Sequence, residues 1–155
     1  MIKAKSHAMR LYLDVCCLNR PFDNQEIDRN RLEAEAVVAA VTRIRKSTHL
    51  LVSSEVVNRE VDAGEDAEKA ELIRQILRLA THHVVVAAAE LERWPELMDM
   101  GFGQLDAVHL ACAESAHCDL FLTTDDKLLK RARAHASGLR ITVMNPLAYV
   151  TEVEP

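Results

Sequence analysis

The sequence predicts an α/β protein, a three-layer α/β/α sandwich built on a mainly parallel sheet of about five strands. Three observations predict it. Short apolar or β-branched runs alternate with longer stretches of helical periodicity along the 155 residues. The first run, Arg10–Asp14 (RLYLD), ends in a carboxylate, and an open parallel sheet tolerates an acid at the C-terminal end of a strand, where such sheets build their ligand sites. Three later acids, Glu60, Asp106 and Asp125, are expected at equivalent places in the fold.

Taken in order, Leu11, Tyr12, Leu13 and Val15 around Asp14 read as a central first strand. Residues 19–29 form a polar loop with Pro21 and Asn24 as turn formers. Helical periodicity runs from about Asn30 to Lys46. Leu32, Ala36, Ala40, Val41 and Ile44 fall on one face, and Arg43, Arg45 and Lys46 close the last turn, where cations suit the dipole. His49–Val52 is a second strand. Ser53 or Ser54 caps the helix that carries Glu60, with Val56, Val57 and Val61 facing inward. After a break around Gly64, a helix from about Glu68 to Ala80 buries Leu72, Ile73, Ile76, Leu77 and Ala80. His83–Val86 is a third strand. The stretch AAAELERWPELMDM is helical, with Pro95 expected to force a break or a fresh start. Gly101 and Gly103 flank Phe102 in a tight loop before an alanine-rich helix that begins near Gln104 and carries Asp106. Asp119–Thr123 is a fourth strand, ended by Thr124 and Asp125, which open the helix DKLLKRARAH. Arg140–Val143 is a fifth strand, and Asn145-Pro146 starts a last helical turn.

Composition sets bounds on function. The length suits one domain with a proper core, read as residues 9–150 between tails 1–8 and 151–155. No apolar run approaches the ~20 residues of a membrane span, and the start MIKAKSHAM has no apolar stretch behind its charge, so neither a transmembrane helix nor a secretory signal is expected. Cys16, Cys17, Cys112 and Cys118 have no CxxC or zinc-ligand spacing and read as reduced thiols in a cytoplasm. A net charge of −5 excludes a protein that coats nucleic acid by bulk electrostatics, and 4% aromatic residues exclude a base-stacking platform. Neither excludes an enzyme that meets phosphate through a cation held by acids.

In a parallel sheet all strand C-termini share one edge, so Asp14, Glu60, Asp106 and Asp125 can converge there. Acids gathered without Lys or Arg call for raised pKa values or a bound cation. Oxygen-only ligands favour Mg²⁺ or Mn²⁺, and such a site suits metal-assisted hydrolysis of a phosphodiester. Each acid also has a plainer reading. Asp106 and Asp125 precede helices and serve as N-caps, and Glu60 alone is a solvated helix residue. Glu55 competes with Glu60, but the helix dipole accounts for an acid in the first turn. His109, one turn after Asp106 on an apolar face, reads as a core histidine or as support for the site in preference to a ligand or proton carrier. Lys127, Lys130, Arg131 and Arg133 are a solvated helix face or a phosphate guide beside Asp125. Leu97, Met98, Met100 and Phe102 are core or a partner surface.

The segments LYLDVCCLNRPFD, VSSEVVNRE, LDAVHLACAE and LFLTTDDKLLKRA, in that order and spacing, resemble the PIN-domain ribonucleases, many of which are VapC-like toxins of toxin–antitoxin pairs. The resemblance covers residues 9 to about 147. It implies a PIN-like sandwich, an acidic Mg²⁺ or Mn²⁺ site, hydrolysis of RNA, an antitoxin partner and a homodimer. Carried over residue by residue, Asp14, Glu60, Asp106 and Asp125 match the family's acids as catalytic residues and metal ligands, and Asp126 stands for a fifth, less regular acid. Asn19, Lys127, Lys130 and Arg131 are the expected substrate contacts. The chain departs from the family at Val15 and Cys16, where a Thr, Ser or Asn often follows the first acid. Two alternatives stay open: a non-catalytic PIN-like binding module, and another metal-dependent phosphoester hydrolase.

Overall fold

The computed structural model describes residues 8–155; the expected tail 1–8 lies, except for Ala8, outside them. The chain runs through β1 (Met9–Leu13), α1 (Val15–Asn19), α2 (Asp28–Arg45), β2 (His49–Ser54), α3 (Glu55–Asp62), α4 (Ala67–Leu77), β3 (His82–Val84), α5 (Ala88–Asp99), α6 (Gln104–Ser115), β4 (Leu120–Leu122), α7 (Asp126–Ala134), β5 (Thr142–Met144) and α8 (Pro146–Glu152). The five strands form one sheet in the order β3-β2-β1-β4-β5, every pair parallel. This is the predicted α/β architecture. From β1 the chain first winds outward to β2 and β3, then crosses back to β4 and β5. Because parallel crossovers are right-handed almost without exception, the two directions of travel put helices on opposite faces. The sequence order reverses between β1 and β4, and the crevice beyond their C-terminal ends is where such sheets bind ligands.

The core explains why the strands read as they do. Leu11, Tyr12, Leu13, Leu51, Leu120, Phe121 and Leu122 are all at most 2% exposed, because a parallel sheet covered on both faces needs apolar residues on both sides of each strand. Helix α6 packs its small residues Ala107, Ala111 and Ala113 into the same core, with Leu110 and Cys112.

Several local expectations are corrected. Asp14 does not lie within the first strand; β1 ends at Leu13, and Asp14 caps the short α1. Leu32, expected inside, is 46% exposed, and Glu33 is fully buried in its place. Glu33 is tolerated there because Arg20 (3.1 Å), Arg29 (3.3 Å) and Asn145 Nδ2 (2.5 Å) surround its carboxylate. Leu72 is 43% exposed, and α4 turns Ala70, Ile73 and Leu77 inward. Pro95 lies inside a continuous α5. The carbonyl that loses its partner to proline belongs to Leu91, a residue 55% exposed, where water can replace the bond. The buried pair Arg93–Glu114 (2.8 Å) and the Trp94 indole, donating to Gln104 O (2.9 Å), tie α5 to α6 and its lead-in across that proline. Of the apolar group near the glycine loop, Leu97 and Phe102 are core.

Candidate active site

Asp14 is set at the sheet edge by its own backbone, whose N–H donates to Leu122 O of β4 (2.9 Å). Its side chain is 8% exposed and fully engaged. Oδ1 accepts the Val15 N–H (2.9 Å), capping α1; Oδ2 accepts the Thr123 hydroxyl (2.8 Å) and lies 3.3 Å from Cys16 Sγ. Burial, more than any charge, raises the Asp14 carboxyl well above the ordinary range. Cys16 is drawn the other way. Hydrogen bonding with Cys17, then with Thr123 and Thr124, holds its thiol down to about 5 against its own burial.

Asp106 lies in the first turn of α6 and is half-buried. Its carboxyl is raised by burial first, then by the charge of Asp125, with smaller contributions from Cys16 and Glu60, while His109 pulls it down. Asp125 caps α7, with Oδ1 accepting the N–H groups of Lys127 (2.9 Å) and Leu128 (3.2 Å). Glu60 sits in the second turn of α3, its side chain 31% exposed, 2.9 Å from His109 Nε2. The four expected acids therefore interact electrostatically, and among the described residues none of them forms an ion pair with Lys or Arg. Ser54, not Ser53, caps α3, and Glu55 is diverted to the backbone of Val86 (2.8 Å).

The other expected site residues fall differently. The structure does not bring Asp126 to the cluster. Arg29 binds both its oxygens (2.7 and 2.9 Å) and lowers its pKa, and the side chain is 71% exposed, so a charged donor fork already takes up its acceptors. Asn19 closes α1, half-buried. Lys127 and Lys130 are exposed on α7. Arg131 lies against the turn at Gly101 (φ +95°), where a Cβ would collide with its guanidinium, so this glycine serves both the backbone conformation and the close approach. Sequence reasoning passed over two neighbours of Asp14. Thr123 is fully buried and binds the acid from the adjacent strand, and its signal was the first Thr of LFLTTD. Cys16 was read as a departure, yet its sulfur stands where a polar group beside the first acid would, between Asp14 and Thr123 Oγ1 (3.3 Å).

The donor set is oxygen-rich and anionic, which fits a hard divalent cation. Among the described residues no three His, Cys, Asp or Glu side chains close up into a ready metal cage. That arrangement accords with Mg²⁺-type binding, in which one or two carboxylates hold an ion that keeps several waters. On its outer side Glu60 also lines a groove of about 760 Å³ with Val86, Leu91, Trp94, Leu105 and Val108.

Comparison with known proteins follows this geometry. The PIN domain, as a family pattern, matches residues 11–134. No curated protein sequence matches the chain. Among solved structures, VapBC-1 from nontypeable Haemophilus influenzae is similar with a TM-score of 0.56 at 16% identity, over 89% of this chain and 98% of that one. VapBC2 from Rickettsia felis, bound to a DNA fragment from their promoter, is similar with a TM-score of 0.55 at 15% identity, over 88% and 98%. At these identities the likeness is one of fold.

Proposed function

This chain belongs to the PIN-domain family, and from that premise we propose that it is a metal-dependent endoribonuclease, the toxin of a toxin–antitoxin pair. The observation that carries the reading is the placement of Asp14 and Asp125 just past the ends of β1 and β4, with Asp106 in the first turn of α6 and Glu60 in the second turn of α3, none of them ion-paired with Lys or Arg among the described residues. A cluster of that kind stores repulsion that a cation relieves. Of Asp14, Glu60, Asp106 and Asp125, one or two would hold Mg²⁺ or Mn²⁺ directly and the others through its waters. The ion, when bound, supplies Lewis-acid stabilisation of the charge on the phosphodiester and its leaving oxygen.

The chain's own residues do the positioning. Thr123 and the Val15 N–H fix both oxygens of Asp14, so this acid meets the substrate in one orientation. Helices α6 and α7 bring Asp106 and Asp125 in on their first turns. Lys127 and Lys130, exposed beside Asp125, offer cations to the RNA backbone, which orients the strand without reading its sequence. An antitoxin partner accords with the VapBC assemblies among the structural neighbours, and a homodimer with the family resemblance.

The test is cleavage of a mixed RNA pool with Mn²⁺, beside Asp14→Asn and an EDTA control. Cutting by wild type alone supports the metallonuclease. Equal behaviour of all three rejects it and turns attention to a non-catalytic module, for which Mn²⁺ binding is the next measurement.

A further inference from the structure

A buried chain of hydrogen bonds leads away from Glu60 and returns to the helix that carries it. His109 Nε2 is 2.9 Å from Glu60 Oε1, His109 Nδ1 is 2.7 Å from the Tyr12 hydroxyl, and that hydroxyl is 2.7 Å from Ser54 Oγ. Ser54 in turn accepts the Val57 N–H (3.1 Å) at the start of α3. Tyr12, Ser54 and His109 are at most 1% exposed, and Tyr12 is wedged between Phe121, stacked at 5.2 Å, and the edge of the His109 ring at 5.8 Å.

The geometry fits a chain of donation that runs from Ser54 through Tyr12 and His109 to Glu60. In that direction the Glu60 carboxylate, its side chain 31% exposed, accepts from the Nε2–H of His109. Nδ1 of a neutral imidazole then accepts, so the Tyr12 O–H donates to it. The fully buried Tyr12 hydroxyl has Ser54 and His109 as its two partners. Tyr12 oxygen receives the Ser54 hydroxyl hydrogen. Each member is also tied to an acid of the cluster. Tyr12 lies two residues before Asp14 on the same segment, His109 one turn after Asp106 on α6, and Ser54 caps the helix of Glu60.

We propose that His109, held in its Nε2–H form by Tyr12 and Ser54, is the positioning residue that fixes Glu60 relative to Asp14 and Asp106 for cation binding. The inference rests on the metal-site reading above and deepens it. A histidine that only fills core space needs satisfied nitrogens. This one spends its exposed-side nitrogen on a carboxylate of the site, as supporting residues around metal ligands do.

The test measures Mn²⁺ affinity by electron paramagnetic resonance of the free ion for wild type, His109→Leu, His109→Gln and Tyr12→Phe. Melting temperatures and the ¹⁵N signature of the wild-type His109 ring are recorded alongside. Gln keeps an N–H near the Nε2 position; Leu does not. The expected result is an Nε2–H tautomer, at least about tenfold weaker Mn²⁺ binding in His109→Leu, and recovery of most of that loss in His109→Gln. Tyr12→Phe falls between them and serves if the Leu variant does not fold. Lowered melting temperatures with Mn²⁺ affinity unchanged in all variants make His109 merely structural and overturn the inference alone. So does an Nδ1–H tautomer. Absence of Mn²⁺ binding by folded wild type removes the metal reading and this inference together.

Discussion

Asp14 does three things with one side chain. It caps α1, accepts a hydroxyl across the strand boundary and contributes charge to the acid cluster. Asn can keep the first two only in part, so Asp14→Asn should retain the fold, measured by circular dichroism, and lose RNA cleavage by at least about a hundredfold, on the scale of removing one catalytic group. Asp106 is the cleaner probe of charge. Burial and the Asp125 carboxylate raise it above its unfolded value, so the folded chain holds that proton to higher pH than the unfolded chain does. Its contribution to stability is therefore present below the unfolded value of about 3.9 and is lost as pH rises toward the folded value. In EDTA, Asp106→Asn should leave stability nearly unchanged at low pH and raise it at neutral pH, read from urea midpoints at both. A midpoint lowered at neutral pH would show that the carboxylate is not repelled there. Among the cysteines, Cys112 and Cys118 are pushed up to about 12 by burial and should stay inert to thiol reagents in the folded chain, whereas Cys16 is half-buried and low.

The helices carry a sharper comparison at the scale of elements. Leu72 and Ile73 are adjacent in α4 and equally apolar, yet Leu72 is 43% exposed and Ile73 is 1% exposed. Ile73→Ala should cost about 2–5 kcal/mol, and Leu72→Ala about 0.5 kcal/mol or less, by denaturant unfolding. Equal losses would mean that α4 is rotated from its described face. The α5–α6 pair has its own clasp. Arg93 spans to Glu114 through two nitrogens (2.8 and 3.2 Å), both residues being buried, and to the carbonyl of the partly buried Gly138 (2.6 Å). Arg93→Ala strands a buried carboxylate and should cost about 3 kcal/mol, while Mn²⁺ binding at low temperature stays as in wild type.

For the whole molecule, the parallel sheet places strand ends and the helix starts that follow them on one edge, and the proposed reading adds a cation to the acids there. Mn²⁺ should therefore raise the melting temperature of wild type. At a hundredfold excess over its dissociation constant, the linkage gain is about 2.7 kcal/mol, and it should vanish in EDTA. A net charge of −5 works against RNA, so on the proposed reading association should weaken when Lys127 and Lys130 on α7 are replaced, measured by RNA binding. Among the described residues no helix is long and apolar enough to cross a membrane.

Much of this architecture was legible in the chain itself. Apolar runs such as LYL, LFL and HLLV announce buried parallel strands because both faces of a strand must be apolar there, and the acids and glycines between them mark where strands end. Helices α2, α3 and α4 were legible from periodicity, since a face repeats every turn, whereas α6 was legible from its alanine-rich run and α7 from the Thr-Asp that opens it. The five-residue α1 was not, being too short for a period to show; its start is decided by Asp14 accepting the next residue's N–H. Choices between neighbours also lay beyond periodicity. Glu33 displaces Leu32 from the interior because Arg20 and Asn145, from other segments, complete its hydrogen bonds. Asp126 turns away because Arg29, 97 positions earlier, reaches it first. The contacts that shape the candidate site span similar distances: Asp14 to Thr123 over 109 residues and Tyr12 to His109 over 97. Local pattern determined what each segment is. Tertiary packing alone decided how each acid is held, because hydrogen-bond partners are selected by geometry between elements, and no periodicity within one element encodes them.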